Sequence, residues 1–263
     1  MEWLCRIVKH SALVCIAVPS EHPSTPVSAS LQSFTDLWFK RRAEILEVYM
    51  FYDRREAGRL LAERLETYRG RNLLVLGLPR GGVPVAYEVA TALGAPLDVL
   101  VTRKIGAPAQ PELAIGSIAP REVLFLNTPI VRRLQIDDET IQQLVRQETR
   151  EVNRRTLHYR GEEGVPDVEG KFVLLVDDGI ATGLTLMAAV RALREAGVRR
   201  IALAVPVSSQ EAAEMLEELV DDFICLDTPE DFLAVGSWYR HFEPVSDDEV
   251  VAFLQKARAK ATG

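Results

Sequence analysis

The sequence predicts an α/β fold with a doubly wound, mainly parallel five-stranded sheet flanked by helices. Short apolar runs alternate with stretches of helical spacing, the arrangement of parallel βαβ units with right-handed crossovers. One of these runs, Phe172–Val176, has no polar interruption, as expected of a strand that is covered on both faces. The expected strands are Leu73–Leu78, Pro96–Thr102, Phe172–Val176, Arg200–Val207 and Phe223–Leu226.

Composition and charge narrow the class of protein. In 263 residues the apolar fraction is 48% and the charged fraction is 26%, which are ordinary values for a globular protein. The net charge of −7 comes without a block of lysine or arginine, so nucleic acid is not an expected partner. The cysteines and histidines lack metal or redox spacing, and the longest apolar run, near Leu13–Val18, is too short to span a membrane. We therefore expect a cytoplasmic protein.

The chain is expected to divide at about residue 50. Residues 1–49 contain the Pro- and Ser-rich stretch EHPSTPVSAS and are predicted to be a poorly structured extension. Because a well-formed domain start follows Met50 at once, an over-extended gene start is a second interpretation of these residues. The domain itself is expected over residues 50–263, with a core of about 71–227 and a C-terminal part of about 228–263.

The stretch Lys171–Gly197 carries the clearest functional pattern, because an apolar strand runs through a loop of small and hydroxyl residues into a helix. Unpaired N–H groups and the helix dipole attract a phosphate to such a helix N-terminus. Gly179 and Gly183 let the backbone approach a ligand closely, and the hydroxyls of Thr182 and Thr185 can donate hydrogen bonds to phosphate oxygens. The loop therefore predicts a phosphate site.

Two carboxylates, Asp177 and Asp178, stand between this strand and the loop. Ionised carboxylates accept hydrogen bonds only, which suits the two hydroxyls of a ribose. Together with the phosphate loop, they predict a site for a phosphorylated sugar. An ordinary Asp-Asp-Gly turn that caps a helix is the structural alternative.

The sequence VLLVDDGIATGLT resembles the signature of type I phosphoribosyltransferases. In that family the acidic pair holds the ribose hydroxyls of phosphoribosyl pyrophosphate, and the loop binds its 5-phosphate. Ala181 stands where members acting on 6-oxopurines usually carry an aspartate, which weakens a hypoxanthine or guanine assignment. The resemblance implies that the donor is bound by Asp177, Asp178, Gly179, Ala181, Thr182, Gly183 and Thr185.

A second glycine-containing loop, Pro79–Gly82, follows the strand Leu73–Leu78. Backbone N–H groups between a strand end and a helix start form a nest for anions, and the loop has neither of the common dinucleotide or mononucleotide glycine patterns. It is similar to the family's pyrophosphate-binding loop, which implies a catalytic role for Arg80 and substrate contacts for Gly81 and Gly82. A packing turn is the alternative. Since both loops follow parallel strands, we expect them to line one crevice.

Two further parts are implied by the resemblance. A mobile loop closes over the reactants in the family, and Arg103–Pro108 resembles its start, so Lys104 is expected to bind pyrophosphate and Glu112 to handle a proton. A solvated charge on the loop is the alternative for each of the two residues. The stretch IGAPAQPELAIGSIAP, rich in proline and glycine, is predicted to be a loop rather than packed structure. Family members also build a small hood over the base from their C-terminal part, where Trp238 is expected to stack on the acceptor or simply to pack on the core.

The resemblance implies transfer of a 5-phosphoribosyl group from phosphoribosyl pyrophosphate to a nitrogen acceptor such as a nucleobase, with release of pyrophosphate, in nucleotide metabolism. Mg²⁺ is the implied cofactor because the pyrophosphate leaving group needs neutralising, with Asp177 and Asp178 as its protein ligands. Two alternatives remain, a non-catalytic regulatory module that binds the donor or nucleotides and a protein with another phosphorylated ligand. The sequence names neither the acceptor nor the assembly, a homodimer included.

Overall fold

A parallel sheet of five strands forms the centre of the described chain. The computed structural model describes residues 50–161 and 164–261, and the predicted N-terminal extension, residues 1–49, lies outside the described residues. The strands in the described residues are β1 (Leu73–Gly77), β2 (Leu97–Val99), β3 (Arg103–Ala107), β4 (Gln110–Ala119), β5 (Val123–Leu126), β6 (Phe172–Val176), β7 (Arg200–Val207) and β8 (Asp222–Asp227).

Helices cover both faces of this sheet. The α-helices in the described residues are α1 (Arg54–Arg64), α2 (Gly82–Leu93), α3 (Thr128–Arg133), α4 (Asp138–Arg160), α5 (Leu184–Glu195), α6 (Gln210–Glu217) and α7 (Asp247–Ala261). Alternate residues of β6 belong to different cores: Leu174 packs in the cluster that contains helices α1 and α2, and Leu175 in the cluster that contains α5 and α6. Both are fully buried, which explains why β6 has no polar residue.

The strand order of the large sheet is β2-β1-β6-β7-β8, and every neighbouring pair is parallel. The predicted doubly wound five-stranded sheet is therefore confirmed. The chain runs outward from β1 to β2 on one side and from β6 to β8 on the other, so the order reverses between β1 and β6. In sheets of this kind ligands bind outside the carboxyl ends of the strands at such a switch point.

The stretch predicted to be an unpacked loop is a β-hairpin, so that prediction is wrong. Strands β3, β4 and β5 form a second, antiparallel sheet, with Ile105 opposite Gly116. The proline and glycine residues have structural positions in it: Pro108 lies in the turn, and a Cβ on Gly106 would lie 2.3 Å from the carbonyl oxygen of Pro111. Proline at strand ends and glycine at a close backbone approach are compatible with a strand, although the same residues are typical of loops.

Ser209 connects helix α6 to the loop that follows β6. Its hydroxyl accepts a hydrogen bond from Ala212 N at 3.2 Å and donates one to the carbonyl oxygen of Ala181 at 2.7 Å. We expect Ser209→Ala to lower the free energy of unfolding by ~1 kcal/mol, because the helix loses its N-cap. Urea unfolding measures this, with Ser246→Ala at the start of α7 as a comparable cap variant whose hydroxyl bonds Glu249 instead of the loop. An unchanged unfolding midpoint in Ser209→Ala would contradict the assignment.

The helices of the described chain are each too short or too polar to cross a bilayer.

Candidate functional site

The two predicted ligand loops lie against each other. Because Gly77 of β1 pairs with Val176 of β6, the residues that follow these strands leave the sheet side by side, and Leu78 N–H donates to the carbonyl oxygen of Val176 at 2.9 Å. A Cβ on Gly81 would lie 2.0 Å from Oδ2 of Asp178. The turn therefore touches the acidic pair directly.

Gly82 makes the corresponding contact on the other carboxylate. A Cβ at this position would lie 2.8 Å from Oδ1 of Asp177. Side chains at the two turn positions would occupy the space of the carboxylates, so the close approach requires glycine at both. The Pro79–Arg80 peptide bond at the start of this turn is cis.

Within the described chain, the turn keeps two main-chain donors unengaged. Gly82 N–H donates to Leu78 O at 3.0 Å and Val83 N–H donates to Arg80 O at 3.3 Å. The N–H groups of Arg80 and Gly81 have no such acceptor among the described residues. These two donors, next to an exposed guanidinium, form a small nest that can accept an anion.

Asp178 is held by an arginine that sequence analysis did not identify. Nε of Arg54 donates to Oδ2 of Asp178 at 2.7 Å, and the two side chains are only 11% and 14% exposed. Nη1 of Arg54 donates to the carbonyl oxygen of Glu243 at 2.9 Å, and the guanidinium lies 3.8 Å from the ring centre of Phe242. Arg54 is the first residue of α1 and stands 124 positions before Asp178, so no local spacing joins them.

One sequence feature could have drawn attention to Arg54. The positive end of the helix dipole disfavours a cation in the first turn. An arginine at the first position of a well-capped helix therefore calls for an anionic partner elsewhere in the fold, and Asp53 supplies the cap by accepting from Glu56 N at 2.7 Å.

The C-terminal segment also reaches the acidic pair. Tyr239 O–H donates to the carbonyl oxygen of Asp178 at 2.5 Å. The same segment is tied to the start of the domain, because Phe51 N–H donates to Trp238 O and Arg240 N–H donates to Phe51 O, both at 2.9 Å. The first residues of the described chain and the segment that precedes its last helix therefore meet beside the acidic pair.

Trp238 does not present its ring to the cleft. Its side chain is 7% exposed and packs in a cluster with Phe51, Ala57, Val207 and Tyr239. Of the two expectations for Trp238, stacking on an acceptor and packing on the core, this position agrees with packing, since the ring is covered by protein. An aromatic residue in a polar tail has the same sequence pattern whether it packs or binds, so the pattern could not separate the two.

The surroundings of the acidic pair disfavour the ionised forms of both carboxyl groups. Burial raises the pKa of Asp177 well above its ordinary value, and the neighbouring Asp178 carboxylate raises it further. Burial also raises the pKa of Asp178, while the positive charge of Arg54 opposes that rise. The raised pKa values mean that the ionised forms of these partly buried carboxyl groups are disfavoured, so a ligand that brings a cation would stabilise the ionised pair.

The residue types fit a Mg²⁺ ion only in part. The described residues contain no cluster of three or more histidine, cysteine, aspartate or glutamate side chains that could hold a metal. Asp177 and Asp178 supply two carboxylates, and Asp178 already accepts from Arg54. This donor set suits a Mg²⁺ ion that keeps most of its oxygen ligands from water and substrate phosphates.

The loop after the acidic pair leads into an uncapped helix. Gly183, the N-cap residue of α5, has φ +71 and offers no side-chain hydrogen bond, so side chains leave the first-turn N–H groups free for an anion. The base of the loop is fixed to β7, since Ile180 N–H donates to Val207 O at 2.9 Å. Ala181 and Thr182 are exposed, and Thr185 is half-buried. The backbone at the start of α5 is therefore compatible with a bound anion.

The two predicted site residues of the hairpin, Lys104 and Glu112, lie on the side of the site that contains the phosphate loop. Nζ of Lys104 donates to Oε2 of Glu112 at 2.8 Å, and this hydrogen bond lowers the pKa of Glu112 below its ordinary value. Both residues line a cavity of about 690 Å³ together with Ala181 and Thr182. A carboxylate held in this way is a weak proton acceptor until the ion pair opens.

Arg80 is not among the residues that line this cavity. Its Nη1 is 3.7 Å from Oδ1 of Asp247 at the start of α7, and its side chain is 42% exposed. Asp247 in turn accepts a hydrogen bond from Tyr159 O–H at 2.6 Å. The structure thus brings Gly81 and Gly82 against the acidic pair, pairs the side chain of Arg80 with Asp247, and sets Lys104 and Glu112 beside the phosphate loop.

Comparisons with known proteins identify the family. The sequence model of the phosphoribosyl transferase domain matches residues 47–239. The chain is 47% identical over 209 residues to the protein named "Putative phosphoribosyl transferase Rv0571c" of Mycobacterium tuberculosis strain H37Rv, a match that covers 79% of this chain and 47% of that protein. The chain thus spans about half the length of the curated relatives it matches.

Two further proteins are similar to this chain. The crystal structure of TT1426 from Thermus thermophilus has 40% sequence identity and a TM-score of 0.67, and the match covers 79% of this chain and 98% of that one. A ribose-phosphate pyrophosphokinase of Methanopyrus kandleri is 27% identical over 176 residues, which are 66% of this chain and 43% of that protein. From the family match, the chain belongs to the phosphoribosyl transferase domain family.

Proposed function

We propose that this protein transfers a 5-phosphoribosyl group from phosphoribosyl pyrophosphate to a nitrogen acceptor such as a nucleobase and releases pyrophosphate. The observation that carries the proposal is the direct contact between the Gly81–Gly82 turn and the carboxylates of Asp177 and Asp178. A single sugar diphosphate can reach both, with its hydroxyls on the carboxylates and its diphosphate on the main-chain donors of the turn. The uncapped start of α5 then receives the 5-phosphate.

The arrangement supports a reaction driven by positioning and charge. Glycosyl transfer at an anomeric carbon passes through an oxocarbenium-like state, so no protein nucleophile is required. Asp177 and Asp178 hold the sugar and place negative charge near the developing cation. Arg80 and the N–H groups of its turn stabilise the charge that builds up on the leaving pyrophosphate.

The proposal includes Mg²⁺, which would bind together with the diphosphate. Asp177 and Asp178 would hold it, and it would neutralise negative charge on the leaving group. The raised pKa values of Asp177 and Asp178 support this part of the proposal, because a bound cation would stabilise their ionised forms.

The β3–β4 hairpin is the candidate element for excluding water from the site. Lys104 and Glu112 stand at the cavity that adjoins the phosphate loop, and Lys104 is 47% exposed. On closure of the hairpin, Lys104 would leave Glu112 and reach the donor phosphates. A closed hairpin would keep out water that otherwise hydrolyses the donor.

A second candidate function is a regulatory module that binds the donor without turnover. It is favoured by one observation, the mutual pairing of Lys104 and Glu112, which engages both proposed catalytic side chains with each other. Such a module would need the acidic pair and the phosphate loop but neither hairpin residue.

Lys104→Ala separates the two candidates. For an enzyme, we expect the rate of pyrophosphate release to fall about 100-fold, because the transition state loses a cation, while the donor dissociation constant changes by much less. Donor binding is measured by isothermal titration, and pyrophosphate release is measured with adenine and a series of other bases. Lys171→Ala, an exposed lysine at the opposite end of β6, is the matched control and should retain the wild-type rate.

The same two measurements on the wild-type protein decide whether it is an enzyme or a regulatory module. Donor binding with no pyrophosphate release for any base would support the regulatory module. Failure to bind phosphoribosyl pyrophosphate in the presence of Mg²⁺ would overturn the proposed function itself.

A further inference from the structure

We propose that Arg54 is a positioning residue for the sugar donor, and that it acts by fixing the carboxylate of Asp178 in the orientation that receives the ribose. This inference rests on the proposed function and deepens it. It assigns a role to a residue that lies outside both ligand loops, at the first position of α1.

The guanidinium of Arg54 is fixed by three separate contacts. Nε donates to Oδ2 of Asp178 at 2.7 Å, Nη1 donates to Glu243 O at 2.9 Å, and the plane of the group lies 3.8 Å from the ring centre of Phe242. A planar guanidinium that is both stacked and hydrogen-bonded through two of its nitrogens has little freedom to rotate. Arg54 therefore acts as a rigid support.

The carboxylate of Asp178 is enclosed from two sides. Arg54 holds Oδ2, and Gly81 lies so close that a Cβ there would be 2.7 Å from the carboxyl carbon. Rotation of the carboxylate would break the hydrogen bond to Arg54. Its orientation is thus set before any ligand arrives, which lowers the entropy cost of binding.

Stability alone is a weak explanation for this ion pair. The attraction between two buried charges is largely offset by the loss of their hydration, so such pairs add little to folding compared with apolar contacts. Here the pair stands at the carboxyl end of β6, against the ligand turn, with Asp178 in the predicted binding motif. Its position at the cleft indicates a role in ligand geometry.

Arg54 also links the donor site to the C-terminal segment. It contacts Phe242 and Glu243, while Tyr239 of the same segment donates to the main-chain oxygen of Asp178. A displacement of this segment would therefore alter the support of the carboxylate.

The adjacent residue provides a matched control. Arg55 has the same side chain in the same helix, but it is 56% exposed and pairs with Glu88 away from the acidic pair. We expect Arg54→Gln to raise the dissociation constant for phosphoribosyl pyrophosphate, measured with Mg²⁺ by isothermal titration, about tenfold. Arg54→Lys should recover part of this loss, and Arg55→Gln should stay within about twofold of the wild type.

A double-mutant cycle tests whether Arg54 acts through Asp178. In an Asp178→Asn background, Arg54→Gln should change the dissociation constant by less than about twofold, because the carboxylate that it positions is absent. Full, independent effects of the two substitutions would overturn the inference and assign Arg54 a general structural role.

Folding and function are separated by two readouts. Thermal unfolding compares each variant with the wild type, and if Arg54→Gln does not fold, Phe242→Leu replaces it, since it removes the stacking surface and keeps the arginine. Wild-type affinity in a folded Phe242→Leu or Arg54→Gln variant would refute the role of Arg54. A wild-type protein that does not bind the donor would instead refute the proposed function.

Discussion

Asp178→Asn is expected to weaken the binding of phosphoribosyl pyrophosphate by about 10- to 150-fold. A hydrogen bond to a charged acceptor contributes about 1.5–3 kcal/mol, and each 1.4 kcal/mol corresponds to a factor of ten in affinity. Asparagine keeps the size of the side chain but removes the charge that Arg54 contacts and that we propose the ribose hydroxyl contacts. Isothermal titration of the donor with Mg²⁺ measures the change.

Asp222→Asn is the control for this variant. Asp222 accepts a hydrogen bond from Nη2 of Arg200 at 2.9 Å, so the substitution also removes a carboxylate from an arginine, but at the amino end of β8. Donor affinity in this control should equal that of the wild type. Unchanged affinity in Asp178→Asn would remove the acidic pair from the donor site.

Gly81→Ala is expected to abolish measurable donor binding. The new methyl group would lie 2.0 Å from Oδ2 and 2.7 Å from the carboxyl carbon of Asp178, well inside any real carbon–oxygen contact. The carboxylate cannot turn aside without leaving Arg54, so the turn itself must move and its two free N–H groups lose their positions. Overpacking of this kind costs about 1–3 kcal/mol of folding stability.

Gly94→Ala provides a variant of similar stability cost. Gly94 ends helix α2 with φ +66 and has open space around its Cβ position, so alanine there strains the backbone without touching the site. Thermal unfolding of both variants is compared with donor titration. The expected result is reduced stability in both and lost binding in Gly81→Ala alone. Donor binding by Gly81→Ala at wild-type affinity would show that the turn is not part of the site.

The part of the site that sequence analysis predicted is local in the chain. The acidic pair, the phosphate loop and the glycine turn each follow an apolar strand within a few residues. Their convergence then follows from the rule that ligands bind at the carboxyl ends of parallel strands near a switch point. The confirmed order β2-β1-β6-β7-β8 places β1 beside β6, and the structure accordingly brings Gly81 against Asp178.

The features that sequence analysis missed depend on contacts between distant segments. Arg54 meets Asp178 across 124 positions, and the pairing of β3 with β4 could not be seen behind prolines that are usually typical of loops. For Trp238 the residue type left stacking and packing both open, because its burial depends on Phe51 and Val207, which come from other parts of the chain. In each case tertiary packing outweighed the local pattern.

In the proposed site the Arg80 turn would recognise an anion with its main-chain N–H groups, since glycine occupies the two positions that face the carboxylates. Substitution of the surrounding side chains can change the strength of such binding, but it leaves the main-chain donors in place. The hairpin around Lys104 and the C-terminal segment around Phe242 contribute side chains instead of main-chain groups. On the proposed function, the contribution of the turn to diphosphate binding would therefore resist single substitutions, whereas the contributions of the hairpin and the C-terminal segment could change with one residue at a time.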